Sequence, residues 1–162
     1  RGGGIALGLS EITASNLLLS ANYSIGHGGG MFISADSYIN LQNSTIAGNM
    51  VGEGDVFGAG IYVDGGHASL LNSIIYYNRR EGDFGINYNL NGYTMEMLEE
   101  FNVTYSDIEG GIAGMHFDGT ILWGQGNIDV DPMFLDPLIN DYSLTENSPC
   151  IDTGDPNRSP VF

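Results

Sequence analysis

The chain has 162 residues, room for one domain with its own core, and carries 20 acidic residues against four arginines and no lysine, a formal net charge of −16. That balance excludes nucleic acid as a partner, because a phosphate-binding surface needs a basic patch, and it suits divalent cations and solubility in salt. No apolar run approaches the roughly 20 residues that span a bilayer, so membrane insertion is not expected, and the single cysteine, Cys150, excludes a disulfide within the chain.

The first eighty residues repeat one pattern. Three glycine-rich steps, Gly2-Gly3-Gly4-Ile5, Gly28-Gly29-Gly30-Met31 and Gly58-Ala59-Gly60-Ile61, each precede a segment bracketed by two asparagines. The brackets are Asn16 to Asn22, Asn43 to Asn49 and Asn72 to Asn78, and they recur after 27 and 29 residues. A fixed period of this size denotes stacked supersecondary units that cannot bury their apolar faces alone.

Inside each unit the apolar residues alternate with period two, which marks strands. The first strand carries Ile5 and Leu7, then Met31 and Ile33, then Ile61 and Val63. The second carries Ile12 and Ala14, Ile39 and Leu41, Ala68 and Leu70; the third carries Leu19, Ile46 and Ile75. The expected fold is therefore all-β: a parallel β-helix of four to five coils, right-handed by the chirality of parallel β connections, with three strands per coil stacked about 4.8 Å apart. Glycine and asparagine suit corners that need positive φ, and Asn16, Asn43, Asn72, Asn22, Asn49 and Asn78 are expected to stack as structural ladders with amide bonded to amide.

After Asn78 the pattern loosens. Gly85-Ile86 reads as a fourth step, Asn102 follows Asn72 by 30 residues, Glu100 falls in the slot of Ala14, Leu41 and Leu70, and Ile108 replaces the closing asparagine. Residues 93–101 read as a short helix or as a strand with a loop. Residues 1–124 are assigned to the coils. Residues 125–162 hold all five prolines and several Asp-Pro and Gly-Asp turns, and read as an irregular cap on the C-terminal edge. Because Arg1 leads straight into a repeat step, the chain is expected to be the C-terminal part of a longer solenoid, or to have its first edge covered by another subunit.

These steps and brackets resemble the right-handed parallel β-helix proteins of the pectate-lyase-like superfamily. The glycine steps paired with Leu19-Ser20-Ala21-Asn22, Ile46-Ala47-Gly48-Asn49 and Ile75-Tyr76-Tyr77-Asn78 are similar to the GGA[IL] and FxxN repeats of polymorphic outer-membrane proteins, with Leu or Ile in the phenylalanine slot. The succession from Val103-Thr104-Tyr105-Ser106-Asp107 through Asp131-Pro132-Met133-Phe134 to Ser148-Pro149-Cys150-Ile151-Asp152 resembles the C-terminal end of choice-of-anchor-type bacterial surface proteins. The resemblance implies an extracellular or cell-surface location and leaves the activity open.

Candidate chemistry is sparse. Gly26-His27-Gly28 is similar to a Gly-His-Gly of pectin-cleaving hydrolases, but their carboxylate trio and substrate-gripping Arg-Ile-Lys have no counterpart here, so His27 reads as a corner residue and no catalytic residue is assigned. Arg79-Arg80 is where a lyase base would be drawn; a solvated loop is the simpler reading. Asp129, Asp131, Asp152 and Asp155 are candidate oxygen ligands for Ca²⁺, with ordinary Asp turns as the alternative. Tyr62, Tyr76, Tyr77 and Trp123, with Tyr88, are the candidate aromatic surface for a sugar or a partner. Cys150 reads as a small buried residue. The sequence thus points to a non-catalytic extracellular or cell-surface scaffold (a stalk, an adhesin segment or a subunit stacking end to end as a homo-oligomer or fibre) with a polysaccharide or cell-surface ligand. The alternative is a polysaccharide lyase or glycoside hydrolase with part of its site in missing coils.

Overall fold

The computed structural model describes residues 2–54, 57–82, 89–93 and 100–158. Gly85, Ile86, Tyr88 and the 94–99 part of the expected helix lie outside these residues.

Strands β1 (Ile5–Leu7), β2 (Glu11–Ser15), β3 (Leu18–Ser20) and β4 (Tyr23–Ser24) make one turn. Strands β5 (Met31–Ser34), β6 (Tyr38–Gln42), β7 (Thr45–Ala47) and β8 (Met50–Val51) make the second. The third comprises β9 (Ile61–Asp64), β10 (His67–Leu71), β11 (Ile74–Tyr76) and β12 (Arg79–Arg80). Two partial turns follow: β13 (Leu90–Tyr93), β14 (Glu100–Thr104) and β15 (Asp107–Ile108), then β16 (Met115–Phe117), β17 (Thr120–Trp123) and a bridge from Asp107 to Ile128. Like strands pair in parallel, in the orders β1-β5-β9-β13-β16, β2-β6-β10-β14-β17, β3-β7-β11-β15 and β4-β8-β12. The protein is a parallel β-solenoid of three complete turns continued by two incomplete ones, and each complete turn has four strands where the sequence predicts three. The fourth, two residues long, is too short to show alternation.

The inward columns follow the predicted register. Ile5, Met31, Ile61, Leu90 and Met115 stack in the first sheet. Ile12, Ile39, Ala68, Phe101 and Ile121 stack in the second, beside Ala14, Leu41, Leu70, Val103 and Trp123. Leu19, Ile46, Ile75 and Ile108 stack in the third. Val103 therefore fills the slot expected for Glu100, which is exposed, because the fourth turn is longer than its predecessors. By the same shift Asn102 pairs with Ser69 and not Asn72, whose column continues in Tyr105. Ile108 continues the apolar column of Ile75, not the closing asparagines. In the first sheet Gly92 leaves a gap that the Phe117 ring enters, and that ring packs edge-on to Phe101 at 6.0 Å.

Both asparagine columns form, with different work. Asn16, Asn43, Asn72 and then Tyr105 turn the corner after the second sheet with φ of 56°, 49°, 51° and 48°. The Asn72 amide donates to Asn43 Oδ1 at 3.1 Å. The closing asparagines make the buried ladder: Asn22 Nδ2 donates to Asn49 Oδ1, Asn49 Nδ2 to Asn78 Oδ1 and Asn78 Nδ2 to Asn89 Oδ1, each at 2.9 Å. Asn89 aligns with Gly60 of the turn above, where a Cβ would press on the Asn78 amide; one turn later that position sends its own amide into the ladder. A serine column runs beside the corner asparagines. Ser44 Oγ, Ser73 Oγ and Ser106 Oγ each accept a backbone N–H from the turn before, from Leu17, Ser44 and Ser73.

The described C-terminal residues run along the side of the stack. Residues 124–128 bond to the fourth turn as part of the fifth. The antiparallel hairpin β18 (Phe134–Asp136) and β19 (Asp141–Leu144) then folds against the side of the third sheet, where Phe134 and Tyr142 pack on Ala47, Ile74, Tyr76 and Tyr77. A Cβ at Gly48 would overlap the Tyr142 hydroxyl, so glycine there makes room for the ring. The chain next touches Asp107 through Cys150, Asn72 through Asp155 and Gln42 through Arg158. The segment read as an end cap is thus a lateral strap along the turns.

Candidate functional site

The residues singled out from sequence do not form one site. Tyr76 and Tyr77 meet edge-on at 5.0 Å and lie half-buried under the strap, and burial raises the pKa of both hydroxyls. Tyr62 stacks on His27 at 4.4 Å and on Phe32 at 5.8 Å, in the first sheet. His27 Nδ1 accepts the N–H of Phe57, which fits its reading as a corner residue. Trp123 ends an inward column and packs on the main core. Of the Arg79-Arg80 pair, Arg79 bonds through both guanidinium nitrogens to Glu109 and Arg80 donates to the Gly54 carbonyl.

The aspartates serve turns. Asp129 Oδ1 accepts from the Gly110 N–H and Asp131 Oδ1 from the Met133 N–H, both at 2.9 Å. Asp155 Oδ1 accepts from Asn157, and Asp152 adopts a φ of 57°. Among the described residues no group of three or more His, Cys, Asp or Glu side chains is placed to hold a metal ion.

Where the strap meets the stack, Asp107 is 3% exposed. Burial raises its carboxyl to about 6, against the opposing pull of hydrogen bonds from the Cys150 thiol and the Val130 N–H. The thiol is pushed up to about 12 by burial and by the bond to Asp107, so it is no nucleophile near neutrality. A cavity of about 220 Å³ with a mixed polar and apolar lining lies between strap and stack, bounded in part by Asn43, Asn72, Ser73, Asp107 and Cys150.

A further set of polar side chains lies on the outer face of the second sheet, in a shallow groove of about 280 Å³. Period two points Glu11, Tyr38, His67 and Glu100 outward in one column and Thr13, Asn40, Ser69 and Asn102 in the next. The Tyr38 and His67 rings stack 4.6 Å apart and within 3° of parallel, the spacing of the turns themselves. The Glu100 N–H donates to His67 Nδ1, which makes Nε2 the protonated nitrogen of the neutral ring. Three rungs separate Glu11 from Glu100, about 14 Å along the axis, too far for the two to act on one glycosidic bond. Sequence reasoning missed this face. Its signal was that Tyr38 and His67 each stand one residue before an inward position.

The fold defines a parallel β-solenoid repeat protein whose corners and turn junctions are closed by asparagine and serine columns. No family model, curated protein or solved structure matches the chain.

Proposed function

We propose that this chain is a non-catalytic extracellular or cell-surface scaffold, a rigid solenoid segment that presents the face of its second sheet to a polysaccharide or cell-surface ligand. One observation carries the reading: among the described residues, the corner side chains Asn22, Asn49, Asn78 and Asn89 and Ser44, Ser73 and Ser106 bond from turn to turn, whereas on the second-sheet face His67 alone does so, accepting the Glu100 N–H, and Thr13, Asn40, Ser69 and Asn102 do not. Such an arrangement builds a stiff rod with one open polar side. The acidic surface and lack of lysine agree with an extracellular setting, as does the similarity of the repeats to those of bacterial surface proteins in the pectate-lyase-like superfamily. End-to-end assembly into a homo-oligomer or fibre is compatible with the strand edges of the first turn.

Incubation with polygalacturonate, alginate and related polymers, with and without calcium, tests the reading: no unsaturated or shortened products are expected, and clear turnover overturns it. Electron microscopy at rising concentration tests the fibre variant, which strictly monomeric particles would eliminate. A polysaccharide lyase or hydrolase with part of its site in further coils is the second reading, favoured by His67, a group able to transfer a proton, in the groove beside Glu100.

A further inference from the structure

We propose that the second-sheet groove recognises a glycan chain carrying primary ammonium groups, such as a de-N-acetylated hexosamine polymer. The inference rests on the scaffold reading and assigns its ligand a chemical class.

The first column supplies the charge chemistry. Tyr38 is 50% exposed, with one ring face on His67 and the other turned toward the rung of Glu11. An aromatic face beside a carboxylate one rung away, about 4.8 Å, is the pair of groups that holds an ammonium: the ring quadrupole attracts the cation and the carboxylate neutralises it. Glu100 repeats the acidic partner on the far side of His67. Among the described residues neither glutamate side chain has an ion-pair or hydrogen-bond partner.

The second column supplies the hydroxyl chemistry. Thr13, Asn40, Ser69 and Asn102 stand in register on successive turns, and their side chains make no hydrogen bond among the described residues. The asparagines and serines at the corners are bonded turn to turn. A row of free amides and hydroxyls along the axis, beside a ring stack, matches a ligand with many hydroxyl groups better than an aliphatic polyamine.

Charge decides between sugar classes. The chain carries −16, Arg79 is held by Glu109, and Arg80 bonds to Gly54 in the loop after the fourth sheet. Arg158 donates to Gln42 at the sheet edge and lies near Asp155. Among the described residues the groove lining holds no arginine, so a polyuronate would meet Glu11 and Glu100 without a guanidinium partner, whereas an amino-sugar chain meets complementary charge.

The test is calorimetric titration of the purified chain with a glucosamine hexamer, its fully N-acetylated counterpart and an oligogalacturonate, together with chromatography of each sugar afterwards. The glucosamine hexamer is expected to bind, with affinity falling as salt rises, and the other two to bind at least about tenfold more weakly. Glu11→Gln, Tyr38→Ala and Glu100→Gln should each weaken binding about fivefold, while Glu146→Gln, an exposed acid on the strap, should leave it unchanged. Equal thermal melts check that the face variants remain folded. Equal loss in Glu146→Gln, equal affinity for the acetylated hexamer, or no binding overturns the inference. Cleavage of a bound sugar would instead overturn the scaffold reading while leaving ammonium recognition standing, so the two failures are distinguishable.

Discussion

Asn89 Oδ1 accepts both the backbone N–H and the side-chain amide of Asn78, so one residue serves the ladder from the position that is Gly60 one turn earlier. The fourth turn has no closing asparagine, and the ladder is completed by a residue that enters from the first sheet. It then ends on a charge: the Asn89 amide donates to Glu109 Oε2 at 2.8 Å, and Glu109 also accepts from Arg79 and the Tyr77 N–H.

The two asparagines of one bracket should respond oppositely to glycine. Asn43 holds a φ of 49°, which glycine adopts freely, so Asn43→Gly is expected to change stability by less than about 0.5 kcal/mol. Asn49 is 1% exposed, donates to Leu19 O and Asn78 Oδ1 and accepts from Asn22. Asn49→Gly strands these partners and should cost about 3 kcal/mol. Urea denaturation of both variants checks the contrast.

Arg79 and Glu109 should behave as a coupled pair. Glu109→Gln leaves a guanidinium, 19% exposed, without its carboxylate, and a loss of about 2–3 kcal/mol is expected. Arg79→Met should cost less, because Asn89 and the Tyr77 N–H still bond the carboxylate. A double-mutant cycle should return a coupling of about 1–3 kcal/mol; additive losses would contradict the arrangement.

Asp107 sets a pH dependence of known sign. Its folded pKa is raised to about 6 from 3.8, so the folded chain binds the proton more tightly than the unfolded chain does. Its contribution is most favourable below about pH 4 and is lost as pH rises through about 6. Asp107→Asn should therefore be more stable than the parent at pH 7, by about 1–2 kcal/mol, with the difference shrinking toward zero at pH 4. Thermal melts of both proteins across that range measure it. The same substitution should speed alkylation of Cys150, since Asp107 helps hold its thiol at about 12.

Gly48→Ala should loosen the strap and leave the turns standing. The added methyl overlaps the Tyr142 hydroxyl, and the hairpin loses its seat on Ala47. Limited proteolysis is expected to cut within residues 130–158 faster than in the parent while the β-sheet circular dichroism is retained. Equal cleavage rates would show that the ring does not hold the strap.

Where a residue type repeats, the sequence reports the architecture well. The alternation Met31, Ile33 and Ile39, Leu41 placed the inward columns in their observed register, because a one-residue slip would turn an entire strand inside out. It failed where identity changes while position is kept. Tyr105 continues the corner of Asn16, Asn43 and Asn72, and Asn89 enters the ladder from a glycine position. The serine column was visible in Asn43-Ser44, Asn72-Ser73 and Tyr105-Ser106 but carries no hydrophobic period. Whether the prolines of the last forty residues close an end or a side depends on the fit of Tyr142 over Gly48, which no local pattern encodes.

The strap also acts as a ruler. Its contacts at Gly48, Asp107, Asn72 and Gln42 fall on the second, fourth, third and second turns, so its own length is matched to how many rungs separate them. Duplicating or deleting one repeat would displace those anchors by about 4.8 Å each. Solenoids usually grow or shrink by whole units with little penalty; in this stretch the count is fixed by a tether.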